Sequence, residues 1–266
     1  MMNKNHINDL RKFGVVHLKK VLRQDQLSFY QAEFNNLFTK NKNELNSTNI
    51  CEIRNIIEKS PAFLQLIDIE PVFSLLVEIM GPTIQLCISQ ALRRPPGLNK
   101  IAGYIHTDGG ISMANIHLKR FSKPLMIKVQ YFLSKTNAKE AGNFAFVPNT
   151  HLKRFPILNK NKLKNLDENA CQLNVDPGDV ILFVNSLWHG VSKNDSDTER
   201  QSIAFGYNHL FMRPLDYNIP SDKLLRNCSP RQQRLLGFIN NGRPESYYYL
   251  PCDQVSIIEN IAQLDI

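Results

Sequence analysis

The stretch DPGDVILFVNSLWHGVSKN, residues 176–194, decides how the chain is read. Asp176-Pro177-Gly178-Asp179 has the composition of a turn. A very apolar run follows it and leads to Trp188-His189-Gly190. Such a run between turn signals reads as a buried strand. A histidine at the end of a buried strand is either a satisfied core group or a metal ligand. The rest of the chain has to decide between the two.

Outward from this stretch the same grammar repeats. TIQLCISQAL (83–92), LMIKVQYFLS (125–134), GNFAFVP (142–148) and RQSIAFGYNHLF (200–211) are short, rich in β-branched and aromatic residues, and separated by turn signals. That spacing favours a sandwich or barrel of short strands. SKNDSDTE after Val191 is a polar turn, so 180–191 and 200–207 are expected to form an antiparallel pair. Residues 152–170 read as a polar connection.

The first 80 residues read mainly as helix. In QDQLSFYQAEFNNLFTK, Leu27, Tyr30, Phe34, Leu37 and Phe38 recur at three- and four-residue steps, which makes one apolar face. In SPAFLQLIDIEPVFSLLVEIMG, Ser60-Pro61 starts a helix, Pro71 divides it and Gly81-Pro82 ends it. SPRQQRLLGF near the end reads as a Ser-Pro-started helix. The expectation is one domain over 1–266: a helical layer over 1–82, a β core over about 83–212 and a helix-and-coil tail over 213–266. The fold class is mainly β with N-terminal helices.

Composition narrows the partners. Hydrophobic residues make up 42% and charged residues 21%, as in ordinary soluble domains. No apolar run is long enough to span a bilayer, and the polar start MMNKNHINDLRKFG has no secretory apolar core. Five cysteines without C-x-x-C spacing argue against a disulfide or thiolate-zinc scaffold and suit a cytoplasmic setting. The net charge of +8 can draw in anionic partners. The densest basic cluster, Lys119, Arg120 and Lys123, has only Phe121 as a stacking platform, so nucleic acid is not the expected partner. An anionic small molecule, or an acidic carrier protein, is the better use of the charge; no membrane is expected.

The chemistry gathers in three places. In Ile105-His106-Thr107-Asp108-Gly109-Gly110, extended backbone would put His106 and Asp108 on one face, and the glycines let the chain turn away. Alone, H-x-D is weak, because most such triplets are surface accidents. With His189 it completes two imidazoles and one carboxylate, the set that leaves three adjacent positions open on a non-haem Fe(II). Arg200 lies eleven residues after His189, where the strand pairing would bring it near at core depth. A guanidinium opening so apolar a strand wants a planar carboxylate, which it grips bidentately. A surface pairing with Asp197 or Glu199 is the bland alternative. Ser202 shares the strand face of Arg200. A dicarboxylate chelating the metal at one end and held by Arg200 at the other fits this arrangement.

These pieces together resemble the phytanoyl-CoA dioxygenase family of Fe(II)/2-oxoglutarate oxygenases. The matching segments are HTDGG, Gly142-Asn143 through Val147-Pro148-Asn149-Thr150-His151, PGDVILF, and WHGVSKN with Arg200. FGVVHLKKVL resembles the family's opening strand-and-helix unit, and HLFMRP and CSPRQQRLLG resemble its tail. The resemblance implies a double-stranded β-helix (jelly-roll, cupin-like) core flanked by α-helices. It implies His106, Asp108 and His189 as iron ligands and Arg200 on the distal carboxylate of 2-oxoglutarate. It implies O2 as the second co-substrate, with succinate and CO2 released as an unactivated C–H bond is hydroxylated. Related halogenases carry Gly or Ala in place of Asp108, so hydroxylation is the expected outcome, with desaturation or ring closure open to the same oxidant. Val191 departs from the family's frequent hydroxyl residue, which turns attention to Ser202 and to MIKVQYFL.

Lys128 and Gln130 share one face of that strand, and a buried lysine needs an anionic or polar partner. Lys128 is a candidate for the co-substrate, and Tyr104, Gln130, Trp188, Arg94 and His209 are candidates for substrate. Arg93, Arg94 and Lys100 read as a solvated Pro/Gly loop at the mouth. His6 and His17 read as surface groups, His151 as structural, and His117 as a mouth residue. The rival reading is a jelly-roll metalloenzyme that uses the same three ligands without 2-oxoglutarate.

Overall fold

The computed structural model describes residues 2–42, 51–97, 105–108, 123–153, 170–217, 219–238 and 252–262. Tyr104, Gly109, Gly110, His117, Lys119, Arg120 and Phe121, together with most of the 152–170 connection, lie outside them. Two antiparallel sheets form the core. The large sheet has six strands in the order β1-β7-β4-β9-β3-β2, and the small one has three in the order β6-β5-β8. The strands are β1 Val15–Leu18, β2 Glu52–Arg54, β3 Ile84–Arg94, β4 Met126–Phe132, β5 Phe144–Val147, β6 Cys171–Leu173, β7 Val180–Val184, β8 Trp188–Val191 and β9 Arg200–His209.

Alternation along β4 and β9 sorts the two faces of the large sheet. Ile127, Val129, Tyr131, Ile203, Phe205 and Tyr207 point to the helical side and join the larger core cluster. There they meet α2 (Gln24–Lys40), a 3-10 turn (Pro61–Leu66) and α4 (Val72–Met80). The Tyr131 and Tyr207 hydroxyls donate to the Leu66 and Ile67 carbonyls at 2.9 and 2.6 Å, so the buried phenols are satisfied. The other face looks toward the small sheet over Phe132, Phe144, Ile181 and Phe183. It also carries Lys128, Gln130, Arg200 and Ser202, a polar row inside a β core. That row is where function is to be sought.

The helix expected from QDQLSFYQAEFNNLFTK spans Gln24–Lys40, with the five periodic residues buried. The next run differs in kind. Pro61–Leu66 is a 3-10 helix, and Ser60 does not cap it, because its hydroxyl donates to Glu33. The region read as a helical layer opens on a further helix, α1 (Met2–Phe13), and also supplies α3 (Ile56–Lys59) and both edge strands of the large sheet. A four-residue and a three-residue strand are too short for a period-two pattern to stand out from helical context. In the tail, α5 (Asp222–Leu225), α6 (Pro230–Leu235) and α7 (Cys252–Ala262) follow β9. Ser229 caps α6 as expected: its hydroxyl accepts from the Gln232 N–H, and the Gln232 side chain accepts from the Ser229 N–H.

One expectation is overturned. Residues 180–191 are not one strand paired with 200–207. The chain breaks at Asn185–Leu187, so β7 stays in the large sheet beside β4 and β1 while β8 crosses to the small sheet beside β5. β9 pairs instead with β3 and β4. Proximity along a polar turn could not reveal this, because a jelly roll sends consecutive strands to opposite sheets. The DPGD turn has a role in that architecture. Asp179 takes His17 Nε2 at 2.8 Å and the Lys20 N–H at 2.9 Å, and the Gly178 carbonyl accepts from Val21 and Leu22. Gly178 has φ +91°, and a Cβ there would lie 2.9 Å from the Leu22 carbonyl oxygen. His17 is therefore a structural clamp on β1 rather than a surface group.

Candidate metal centre

His106 and Asp108 arrive on an extended piece that bridges β8. The His106 N–H donates to the His189 carbonyl at 2.8 Å, and the His189 N–H donates back at 2.9 Å. The Asp108 N–H donates to the Asn185 carbonyl at 2.9 Å, inside the break between β7 and β8. That break therefore aims a carbonyl at the H-x-D segment and turns His189 to face it. The same break is pinned by the Val-Pro-Asn-Thr-His motif. The Trp188 N–H donates to Thr150 Oγ1 at 3.1 Å, and Ser186 Oγ donates to the His151 carbonyl at 3.0 Å.

The side chains converge. His106 Nε2 lies 4.0 Å from Asp108 Oδ1, and His189 Nε2 lies 3.6 Å from Asp108 Oδ2. Ligand atoms of all three fall within 4.8 Å of one another. His189 Nδ1–H donates to the Leu187 carbonyl at 2.8 Å, which leaves the lone pair on Nε2, the nitrogen that faces Asp108. Phe144 and Phe183 pack on the His189 ring, at 5.8 and 4.6 Å between centroids. Burial drives the His189 pKa down to about 3, so the imidazole is neutral. For Asp108, burial pushes the pKa upward, but the charge and hydrogen bond of Lys128 lead the effects that outweigh it and hold it below the usual carboxylate range.

This arrangement fits a divalent transition metal. The donors are two imidazoles and a carboxylate on one face, and Asp108 Oδ2 is buried with no hydrogen-bond partner. Lys128 Nζ donates to Asp108 Oδ1 at 3.3 Å. Lys128 thus reaches the carboxylate of the metal cluster.

From Lys128 the interior face of β4 runs to Gln130, whose Nε2 donates to Ser202 Oγ at 2.8 Å, and then to Phe132, whose ring lies 5.3 Å from the Arg200 guanidinium carbon. Arg200 is 3% exposed, and its Nε and Nη2 have no hydrogen-bond partner. Neither Asp197 nor Glu199 forms an ion pair with it among the described residues. Burial, then the charge of Arg94, pulls the Arg200 pKa down to about 9. Arg94 is a correction to the sequence reading. It closes β3 directly opposite Arg200 and is 6% exposed, so it belongs to the core and not to a solvated loop.

The remaining candidates scatter. Trp188 packs with Ile105 and Ala145 beside the cluster. His209 Nε2–H donates to the Pro124 carbonyl at 2.9 Å, and the ring stacks on Phe211 and stays outside the metal cluster. Val191 is half-buried opposite Phe144. Tyr104 lies outside the described residues. The sequence reading had no signal for Asn185 as the carbonyl that seats Asp108, nor for Gly142 against the Arg200 stem, because both follow from register between distant segments.

Residues 126–206 match the family model for "2OG-Fe(II) oxygenase". The matched segment holds Lys128, His189, Arg200 and Ser202, while His106 and Asp108 precede it. A curated relative, dioxygenase cdmA of Talaromyces verruculosus, is 25% identical over 146 residues, covering 50% of this chain and 48% of that one. The chain therefore spans about half the length of the curated relatives it matches. Among solved structures, HygX from Streptomyces hygroscopicus with nickel and 2-oxoglutarate bound superposes with a TM-score of 0.63 at 18% identity, covering 79% of this chain and 88% of HygX. SnoK, a non-haem α-ketoglutarate-dependent carbocyclase from nogalamycin biosynthesis, also gives 0.63, at 19% identity over 85% of this chain and 91% of SnoK. The shared fold is a jelly roll with flanking helices. No helix among the described residues is long and apolar enough to cross a membrane.

Proposed function

We propose that this chain is an Fe(II)- and 2-oxoglutarate-dependent oxygenase that hydroxylates an unactivated C–H bond of a small anionic molecule, releasing succinate and CO2. The observation that carries the reading is the convergence of His106, Asp108 and His189 at one end of a polar row whose other end is the unpaired, buried Arg200. In this reading the three converging groups hold Fe(II), and Arg200 holds the distal carboxylate of 2-oxoglutarate. When bound, the iron and 2-oxoglutarate supply activation of O2 for attack on the substrate. The chain supplies the rest. The Leu187 carbonyl fixes the His189 tautomer, Phe144 and Phe183 keep water from its ring, and the Gln130–Ser202 pair lines the path between metal and guanidinium. With Asp108 present, the site favours hydroxylation over halogenation.

The motif order supports a place near the phytanoyl-CoA dioxygenases, and the scattered free thiols support a cytoplasmic setting. The fold likeness to SnoK supports ring closure as a second outcome from the same site. The net charge of +8 supports an anionic substrate, free or on an acidic carrier. The test is succinate formation from 2-oxoglutarate by the full chain with Fe(II) and O2, alone and with a panel of carboxylated and phosphorylated small molecules. Succinate that depends on Fe(II) and disappears in Asp108→Ala is expected. Turnover of a substrate with no need for 2-oxoglutarate would replace this reading with the metalloenzyme that does without it.

A further inference from the structure

The interior face of the large sheet ends in two facing cations. Arg94 on β3 and Arg200 on β9 are direct cross-strand partners, so both side chains leave the same face side by side. Both are more than nine-tenths buried. Like charges placed opposite one another on a sheet repel, and each buried cation has also given up its hydration. Among the described residues neither makes an ion pair. Arg94 Nη1 and Arg200 Nε and Nη2 have no hydrogen-bond partner. Among the described residues the Cys51 thiol lies near both, and burial raises its pKa and so favours its uncharged form. Arg93, one residue earlier, points to the opposite face and lies over Phe38.

The surroundings hold the pair rigidly. Phe132 flanks the Arg200 guanidinium. Gly142 presses its backbone on both stems: a Cβ there would lie 3.1 Å from Arg200 Cβ and 3.4 Å from the Cγ of Arg94 and of Arg200. Packed stems with free N–H groups are what a preorganised anion site requires, and the charge of one guanidinium does not explain why a second stands beside it.

We propose that Arg94 and Arg200 form one two-guanidinium clamp, with Arg94 a second positioning residue for the distal carboxylate of 2-oxoglutarate. This rests on the co-substrate reading above and goes beyond it. A carboxylate between two forks receives hydrogen bonds from both strands and neutralises only one of the two charges. The clamp therefore discriminates strongly against 2-oxo acids that lack a distal carboxylate.

The test uses the full chain loaded with Ni(II), titrated calorimetrically with 2-oxoglutarate and with 2-oxobutyrate, which has no distal carboxylate. Wild type is expected to prefer 2-oxoglutarate. Arg94→Met should weaken 2-oxoglutarate binding about tenfold or more, as for loss of a charge-assisted hydrogen bond, and leave 2-oxobutyrate unchanged. Metal-free Arg94→Met should melt no lower than wild type, because one of two unpaired like charges is gone; a merely structural arginine would lower it. Arg94→Lys keeps the charge without the fork and should recover only part of the affinity, which also carries the test if the methionine variant does not fold. Wild-type 2-oxoglutarate affinity in both Arg94 variants, with Arg200→Met impaired, overturns the clamp and leaves the function standing. A wild type that does not prefer 2-oxoglutarate overturns both.

Discussion

Lys128 Nζ stands 3.3 Å from Asp108 Oδ1, so the carboxylate of the metal cluster already has a cation beside it before any metal arrives. The two side chains are 13% and 12% exposed, so water screens them little. Lys128 therefore stabilises the metal-free protein and opposes a dication at the same carboxylate. Lys128→Met should lower the melting temperature of the metal-free protein, by about 1–3 kcal/mol of stability for a buried carboxylate left without its partner. The same change should enlarge the melting shift produced by a divalent metal. Thermal unfolding with and without Ni(II) reads both signs at once, and a variant in which both move the same way would contradict the competition.

Asp108 and His189 reach the cluster by different routes, and their substitutions should separate binding from folding. Asp108→Ala leaves the backbone bridge between His106 and His189 intact, since that bridge uses main-chain groups only. It should fold, lose stoichiometric metal and form no succinate. His189→Gln removes the Nδ1–H bond to Leu187 and the ring packed by Phe144 and Phe183, so it should lose metal and about 2–3 kcal/mol of stability as well. Metal content after dialysis, measured beside chemical denaturation, distinguishes them.

Much of this centre was legible without coordinates. Alternation in MIKVQYF put Lys128 and Gln130 on one face, and the structure keeps them there with their backs to the tyrosine-lined helical side. His106, Asp108 and His189 could be singled out only together, by the H-x-D and W-H-G motifs and the family resemblance that those carry, and the structure brings the three side chains to one place. Arg94 could not be read correctly. RRPPG looks like a loop, and only the register of β3 against β9 turns it toward Arg200. The break between β7 and β8 was likewise invisible, since the apolar run carries no glycine or proline from Val180 to His189. It exists because Asn185, Ser186 and Thr150 offer side-chain and main-chain partners that a continuous ladder would leave unused. Long-range register is not encoded in any local period.

Gly142 sits at φ +73°, with Arg200 Cβ 3.1 Å from where its own Cβ would be. Alanine there meets both a left-handed backbone and the stems of the arginine pair. Gly142→Ala should lose about 1–2 kcal/mol of stability, the usual scale for a non-glycine residue forced to positive φ. It should also weaken 2-oxoglutarate binding while leaving metal binding intact, because His106, Asp108 and His189 lie on other segments. Calorimetry with metal first and co-substrate second tests the separation; equal loss of both would mean that the damage spreads beyond the arginines.

Acid should act on the fold through His151 as well as through the metal centre. The ring is 4% exposed, with Nε2–H donating to the Arg11 carbonyl at 3.2 Å and Nδ1 without a partner. Burial holds its pKa below the ordinary histidine value, and the Arg11 carbonyl only partly offsets this. The unfolded chain then takes up the proton first, at about pH 6.5, so below that pH the unfolded state binds more protons than the native one. Stability contributed by neutral His151 is thus present above about pH 6.5 and drains away as the pH falls toward the native value. His151→Gln keeps an amide donor for Arg11 and does not titrate. The stability difference between wild type and His151→Gln should be largest at pH 8 and shrink by pH 5, as measured by urea denaturation of the metal-free protein. Because His189 titrates identically in both proteins, its contribution cancels in the difference. Parallel stability curves across this range would show that the buried packing of His151 does not depend on its charge.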